Sequence, residues 1–215
     1  MPPVTDFISI DPSPSFSKII DGYKAQVREL VGDQQYLAEP PHMTAYLACF
    51  ADGKKAGEAA SKLAAKLDAF EIDITGWHVF DADPMTQRRT LVVDFTPQSQ
   101  AYLRTLQSQI AQALAGAYDT EATFARYASA FDKFSTVQQE AVRSVGFPFM
   151  GSDWHPHFTI ASIDPAAWET VRDALWNNPP AGVSVCSSLT HYRVIDGESH
   201  PISTFDLKRV ENVSA

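Results

Sequence analysis

The chain carries one tetrapeptide pattern twice. Pro41-His42-Met43-Thr44 recurs as Pro156-His157-Phe158-Thr159, each at the start of a segment that reads as a strand. Roughly 0.01 Pro-His-apolar-Thr matches are expected by chance in a chain of this composition, so two are a strong signal. The surrounding pattern repeats as well. Each half reads strand, helix, strand, helix, then paired strands, which indicates an internal duplication. The expected architecture is α+β: a two-lobed, pseudo-symmetric arrangement around a central cleft. Each lobe is a small, mostly antiparallel sheet backed by helices.

In detail, Phe7–Ile10 reads as a strand ending at the turn cluster Asp11-Pro12-Ser13-Pro14. Ser15 or Ser17 is placed to cap a helix running to about Val31, stopped by Gly32. A strand follows over 42–48 and a helix over about 54–70. Strands are expected around 71–80 and 90–95, then helices over about 98–117 and 121–145. The second motif strand leads to a helix over 165–177. Two closing strands, about 183–195 and 202–210, complete the chain. The lobes interleave in one unit over 1–215. The spacing between the motifs exceeds what two compact lobes need. The excess falls at about 120–151, a helical insertion that could be a lid or a neutral decoration.

The balance of 17 Lys and Arg against 26 Asp and Glu gives a net charge of −9. Long nucleic acids bind largely through basic side chains, so a long DNA or RNA partner is not expected. Cys49 and Cys186 lie in apolar stretches and read as small core residues. The N-terminus lacks the pattern of a secretory signal, and no run is long enough to span a membrane. A cytoplasmic monomer is expected, in which the Asn212-Val213-Ser214 sequon has no role.

Strand periodicity gives the motifs a chemical meaning. Residues i and i+2 share a face, so His42, Thr44 and Tyr46 should lie on one side and Met43, Ala45 and Leu47 on the other. In the second motif His157 and Thr159 oppose Phe158 and Ile160. With the apolar sets under the helices, two imidazoles and two hydroxyls would face the cleft. One neutral His could take a proton and one protonated His could give one. The Thr hydroxyls could hold phosphoryl oxygens. Such chemistry needs no metal or other cofactor.

These paired motifs resemble those of the 2H phosphoesterase superfamily, which includes 2′-5′ RNA ligase-like proteins and 2′,3′-cyclic nucleotide phosphodiesterases. The resemblance covers most of the chain, from Phe7 to Val210. It implies that His42 and His157 are the catalytic pair, with His157 activating water and His42 protonating the leaving oxygen. It implies that Thr44 and Thr159 bind phosphate. The expected substrate is a 2′,3′-cyclic phosphate or 2′-5′ phosphodiester of a nucleotide or short RNA end. The alternative is a binding module on the same fold that does not turn over.

Tyr46, Phe149, Trp154 and Tyr192 are candidates for the substrate pocket, where an aromatic face could stack a base. Arg88, Arg89, Arg126, Lys133 and Arg143 are candidates for a second phosphate. His155 with His157 could form a metal pair, although Pro156 between them distorts a regular strand. His78, His191 and His200 read as structural or solvated, and Trp77, Trp168 and Trp176 as packing residues.

Overall fold

The computed structural model describes residues 3–83 and 85–209; the 212–214 sequon lies outside them. Two four-stranded antiparallel sheets carry the fold. The first contains β1 (Val4–Ile10), β2 (Met43–Phe50), β7 (Ser188–Ile195) and β8 (Glu198–Asp206), in the order β2-β1-β7-β8. The second contains β3 (Phe70–Phe80), β4 (Arg89–Phe95), β5 (Phe158–Ile163) and β6 (Gly182–Cys186), in the order β5-β4-β3-β6. The two orders superimpose in role. Each motif strand, β2 or β5, is the first edge of its sheet and pairs with β1 or β4.

A long helix precedes each motif strand: α1 (Pro14–Val31) and α3 (Pro97–Leu114), both of 18 residues. Ser13 Oγ accepts from the Phe16 amide, and Thr96 Oγ1 accepts from the Ser99 amide. Proline then occupies the first helical position, where its missing N–H costs nothing. The expected cap of α1 at Ser15 or Ser17 is therefore corrected to Ser13, because Pro14 starts the helix. Gly32 ends it with φ +77°, a conformation that favours glycine.

Other boundaries also differ. The second helix, α2 (Gly53–Ala64), stops well short of Phe70. Phe70, Ile72 and Ile74 alternate with exposed or half-buried polar residues and pair with β6 instead. The expected strand over 183–195 is two strands in different sheets, broken at Ser187, whose carbonyl accepts from the Leu207 amide. The segment 120–145 forms α4 (Thr120–Tyr127), a 3-10 turn at Phe131–Lys133 and α5 (Thr136–Val145) rather than one helix. The short helix α6 (Trp168–Leu175) follows β5.

The helices tie the sheets together. From α1, Phe16 packs on Phe158 of β5 at 6.1 Å between ring centroids. Tyr23 meets Trp77 of β3 edge-on and donates to the Asn178 carbonyl. A bridge joins Gln35 to Ser162 on the open edge of β5. One core results, with Ile8, Ile20, Tyr46, Phe95, Leu103 and Phe158 buried in it. Cys49 and Cys186 are free and buried, and Trp168 is buried; Trp176, expected to pack, is 48% exposed. No helix among the described residues is long and apolar enough to cross a membrane.

A buried ion cluster lies under α2. Asp6 is fully buried, accepts two hydrogen bonds from Arg193 at 2.8 and 3.0 Å, and accepts one from His191 at 2.8 Å. A Cβ at Gly53 would overlap both Arg193 and Asp6, so this helix turn needs glycine to sit down on the cluster. Burial alone would raise the Asp6 carboxyl; its hydrogen bonds to His191 and Arg193 and their attraction outweigh that and hold it below its ordinary 3.8. Removing one partner of such a buried pair costs about 3–5 kcal/mol. Asp6→Asn is therefore expected to lower stability by that order at pH 7. Because the folded value is depressed, the contribution is present above about pH 4 and fades as pH falls further. Urea titrations of both proteins at pH 7 and pH 3 should show the gap narrowing.

Candidate active site

Both motif strands contain the same irregularity. In the β1–β2 pair, Ile8 faces Tyr46 and Ser9 faces Thr44, so Ala45 is an extra residue. In the β4–β5 pair, Leu91 faces Ala161 and Val92 faces Thr159, so Ile160 is extra. A bulge therefore follows the Thr of each motif and shifts the period of two by one residue. It moves Tyr46 to the core face with Met43, where it is fully buried and its hydroxyl donates to the Val145 carbonyl. Tyr46 thus does not share the face of Thr44, contrary to the simple alternation.

Each imidazole is held in the same way. His42 Nδ1 donates to the Pro40 carbonyl at 2.8 Å, and His157 Nδ1 donates to the His155 carbonyl at 2.6 Å. A carbonyl can only accept, so Nδ1 carries the proton and Nε2 is left with its lone pair. In both cases the acceptor is two residues back, across a proline. Proline has no N–H and holds the preceding residue extended. Both rings are partly buried, next to the buried Met43 and Phe158, and the His42 side chain is only 12% exposed.

The surroundings differ. His42 lies 5.2 Å from the Phe7 ring and 5.3 Å from the Tyr192 ring, which stack on one another at 4.8 Å. A Glu39 carboxylate oxygen lies 3.9 Å from Nε2, and the other oxygen accepts from Ser199. Burial lowers the His42 pKa from 6.5, while Glu39 opposes that shift. His157 meets the edge of Phe80 at 4.9 Å. Burial pushes it down to about 4, opposed by its hydrogen bond to the His155 carbonyl and by Asp83, with the His155 and His78 rings adding a smaller downward effect. Burial thus favours the neutral form of both rings, and their surroundings differ in the Glu39 carboxylate beside His42.

Thr44 and Thr159 are half-exposed, and among the described residues neither hydroxyl has a hydrogen-bond partner. Burial raises the Tyr36 phenol, and both Asp83, which acts on His157, and Glu39, beside His42, raise it further. Its backbone has φ +72°, unusual for a side chain of this size.

Of the aromatic candidates, Tyr192 is at the site. Trp154 is buried in the core and Phe149 packs against it, ringed by Phe134 and Phe147. Four of the arginine and lysine candidates are engaged elsewhere. Arg88 pairs with Asp164, Arg89 with Asp81, Arg143 with Glu140, and Arg126 donates to Thr5. His191 is structural, in the Asp6 cluster.

His78, Asp94 and His155 offer ligand atoms within 4.8 Å of one another. His155 Nε2 donates to Asp94 at 3.0 Å, and the two imidazoles stack at 4.2 Å with planes 21° apart. Stacked rings aim their lone pairs along nearly parallel planes, so one cation cannot lie in both planes at bonding distance. The arrangement is a hydrogen-bonded stack beside His157, not a preformed cage. Sequence reasoning leaves His78 outside the site, along with Glu39, Phe7 and Phe80. Glu39 alone has a legible signal, a carboxylate in Glu-Pro-Pro-His.

The whole fold is similar to solved structures. The crystal structure of TT0787 of Thermus thermophilus matches with a TM-score of 0.59 at 13% identity, over 95% of this chain and 98% of that one. Escherichia coli LigT complexed with 3′-AMP matches with a TM-score of 0.52 at 17% identity, over 96% and 99%. LigT complexed with ATP matches with a TM-score of 0.52 at 16% identity, over 96% and 99%. No curated protein matches the chain in sequence. The family model described as the 2′-5′ RNA ligase superfamily matches residues 12–193, a span that contains both histidine motifs and the helices that hold them, and the chain belongs to that superfamily.

Proposed function

We propose that the protein is a metal-independent phosphodiesterase that opens a 2′,3′-cyclic phosphate, or a related 2′-5′ phosphodiester, on a nucleotide or short RNA end. The observation that carries this is the duplicated His–Thr geometry, with each Nδ1 locked on a carbonyl and each Nε2 left basic. Water is deprotonated by His157 as it attacks phosphorus in line. The P–O bond to one ribose oxygen breaks, and His42 delivers the proton that oxygen needs. Thr44 and Thr159 donate to the non-bridging oxygens, where charge builds. The acidic surface favours a small substrate, acted on in the cytoplasm by a monomer. The nucleotides carried by LigT, 3′-AMP and ATP, are of that size.

The Glu39 carboxylate beside His42 supports an assignment of roles. Burial keeps His157 neutral, which suits the base, and Glu39 opposes the burial that lowers His42, which suits the acid. The side chains whose charges act on His42 are Glu39, Lys24 and Asp11; those acting on His157 are His155, Asp83 and His78. kcat/KM reports the free enzyme, so its acid limb should fall as His157 gains a proton, near pH 4. Its basic limb should fall as His42 loses one, below the ordinary 6.5. The optimum is therefore on the acid side of neutrality. Glu39→Gln should move only the basic limb, to lower pH, and a shift of the acid limb instead would reverse the assignment.

The direct test is chromatography of the products from the four nucleoside 2′,3′-cyclic monophosphates in EDTA. Turnover is expected, and the product isomer identifies the leaving oxygen. Loss of activity in EDTA would direct attention to His78, Asp94 and His155. Tight binding without product would favour a non-catalytic binding module.

A further inference from the structure

Each histidine depends on a strap of chain that has to be held still. The first strap is Tyr36 to His42, and its Pro40 carbonyl fixes the His42 tautomer. The second is Trp154 to His157, and its His155 carbonyl fixes the His157 tautomer. Neither strap is part of a sheet ladder; the Glu39 amide closes a turn on the Tyr36 carbonyl at 3.2 Å, and the strap carbonyls take further partners.

One cation from each long helix supplies them. Lys24 of α1 is 4% exposed, and its Nζ donates to the Tyr36 carbonyl at 2.8 Å and the Glu39 carbonyl at 2.7 Å. The first of these bonds falls on the residue with φ +72°, a conformation that persists only where its surroundings enforce it, and the second falls three residues further on. They also set the backbone of Glu39, whose carboxylate faces His42. Arg104 of α3 donates through Nε to the Trp154 carbonyl at 3.1 Å and through Nη2 to Gln100 at 2.9 Å. Gln100 in turn donates to Asp94, which accepts from His155. Thus α1 and α3, equivalent in the repeated order of elements, each direct one basic side chain at the strap of one histidine.

We propose that Lys24 and Arg104 are a pair of positioning residues, Lys24 acting on His42 through the 36–40 strap and Arg104 on His157 through the 154–155 strap. This rests on the two-histidine reading above. A desolvated lysine is an expensive way to hold a loop: burial lowers its ammonium to about 8. What it provides is a point that donates to two carbonyls at once.

The test is 15N NMR of the imidazoles together with steady-state kinetics on Lys24→Met and Arg104→Met. In wild type both rings should show the separated nitrogen shifts of a fixed Nδ1–H tautomer. Lys24→Met should average the His42 shifts and leave His157 unchanged, and Arg104→Met should do the reverse. In each variant kcat should fall by about 10²-fold, the scale of a small misplacement, with KM within about twofold. Arg104→Lys, which can still reach the Trp154 carbonyl, should recover most of the loss. Unchanged tautomers in both variants would overturn the proposal, as would both rings loosening together in either one. A loss confined to KM would overturn it as well. If Lys24→Met does not fold, Lys24→Gln carries that arm. If wild type turns over no cyclic phosphate, the functional reading fails, while the NMR arms still decide the positioning roles.

Discussion

Replacing either His42 or His157 with alanine is expected to lower kcat/KM for a 2′,3′-cyclic nucleotide by about 10³-fold, with the double variant little worse than either single one. A positioned acid or base contributes about 10²–10⁴-fold, and 10³ corresponds to about 4 kcal/mol of lost transition-state stabilisation. The two losses should not add, because proton removal from water and proton delivery to the leaving oxygen belong to one event. Folding should survive. Both rings are partly buried at the site, and the apolar residues beside them, Met43 and Phe158, stay in the core. His42 also rests against the Phe7–Tyr192 stack, a ring contact worth about 1 kcal/mol. Thermal unfolding should therefore move by only a few degrees while activity collapses. Thr44→Val and Thr159→Val keep shape and remove the donor, and should cost about 10²-fold each in kcat. Single His variants that retain activity within tenfold of wild type would contradict the two-histidine mechanism.

The motifs were legible because their residue types and spacing recur, and recurrence survives without knowledge of the fold. The repeated order of elements and the antiparallel sheets followed from the same pattern. The face of Tyr46 was not legible. A bulge is one extra residue, and in Thr44-Ala45-Tyr46-Leu47 either register places an apolar residue inside. The break at Ser187 was hidden for a similar reason. Cys186, Leu189 and Tyr192 are all buried, so the run reads as continuous although its parts join different sheets. Trp154 and Phe149 lie close to the second motif in sequence, but the loop turns their rings into the core and offers the site only its carbonyls. Phe7, Phe80 and His78 reach the site through pairing between distant segments, which a single sequence does not display, whereas Glu39 is local, three residues before His42.

Gln107→Leu is expected to destabilise the protein by about 3 kcal/mol and to lower Tm by roughly 10 °C. Gln107 is fully buried on α3, and its amide serves three backbone groups. Nε2 donates to the Ala45 carbonyl at 3.1 Å and the Phe149 carbonyl at 2.8 Å, and Oε1 accepts from the Gly151 amide at 3.1 Å. Ala45 is the bulge residue of the first motif, set out of the ladder, and 149–151 is the approach to the second. One side chain therefore satisfies the irregularity that aims Thr44 and anchors the loop that delivers His157. Leucine fills the space but leaves all three groups without that partner, each costing about 1–3 kcal/mol where water cannot reach and less where it can. Gln107→Glu separates hydrogen bonding from shape. Its carboxylate can still accept from Gly151, but at neutral pH it faces two carbonyls and has no proton to give. Burial then raises its pKa, so the penalty should shrink as pH falls and the acid form regains one donor. Denaturant titrations at pH 7 and pH 5 should show Gln107→Glu gaining stability relative to Gln107→Leu on acidification. Equal stability of the two at both pH values would mean that the amide network contributes only packing.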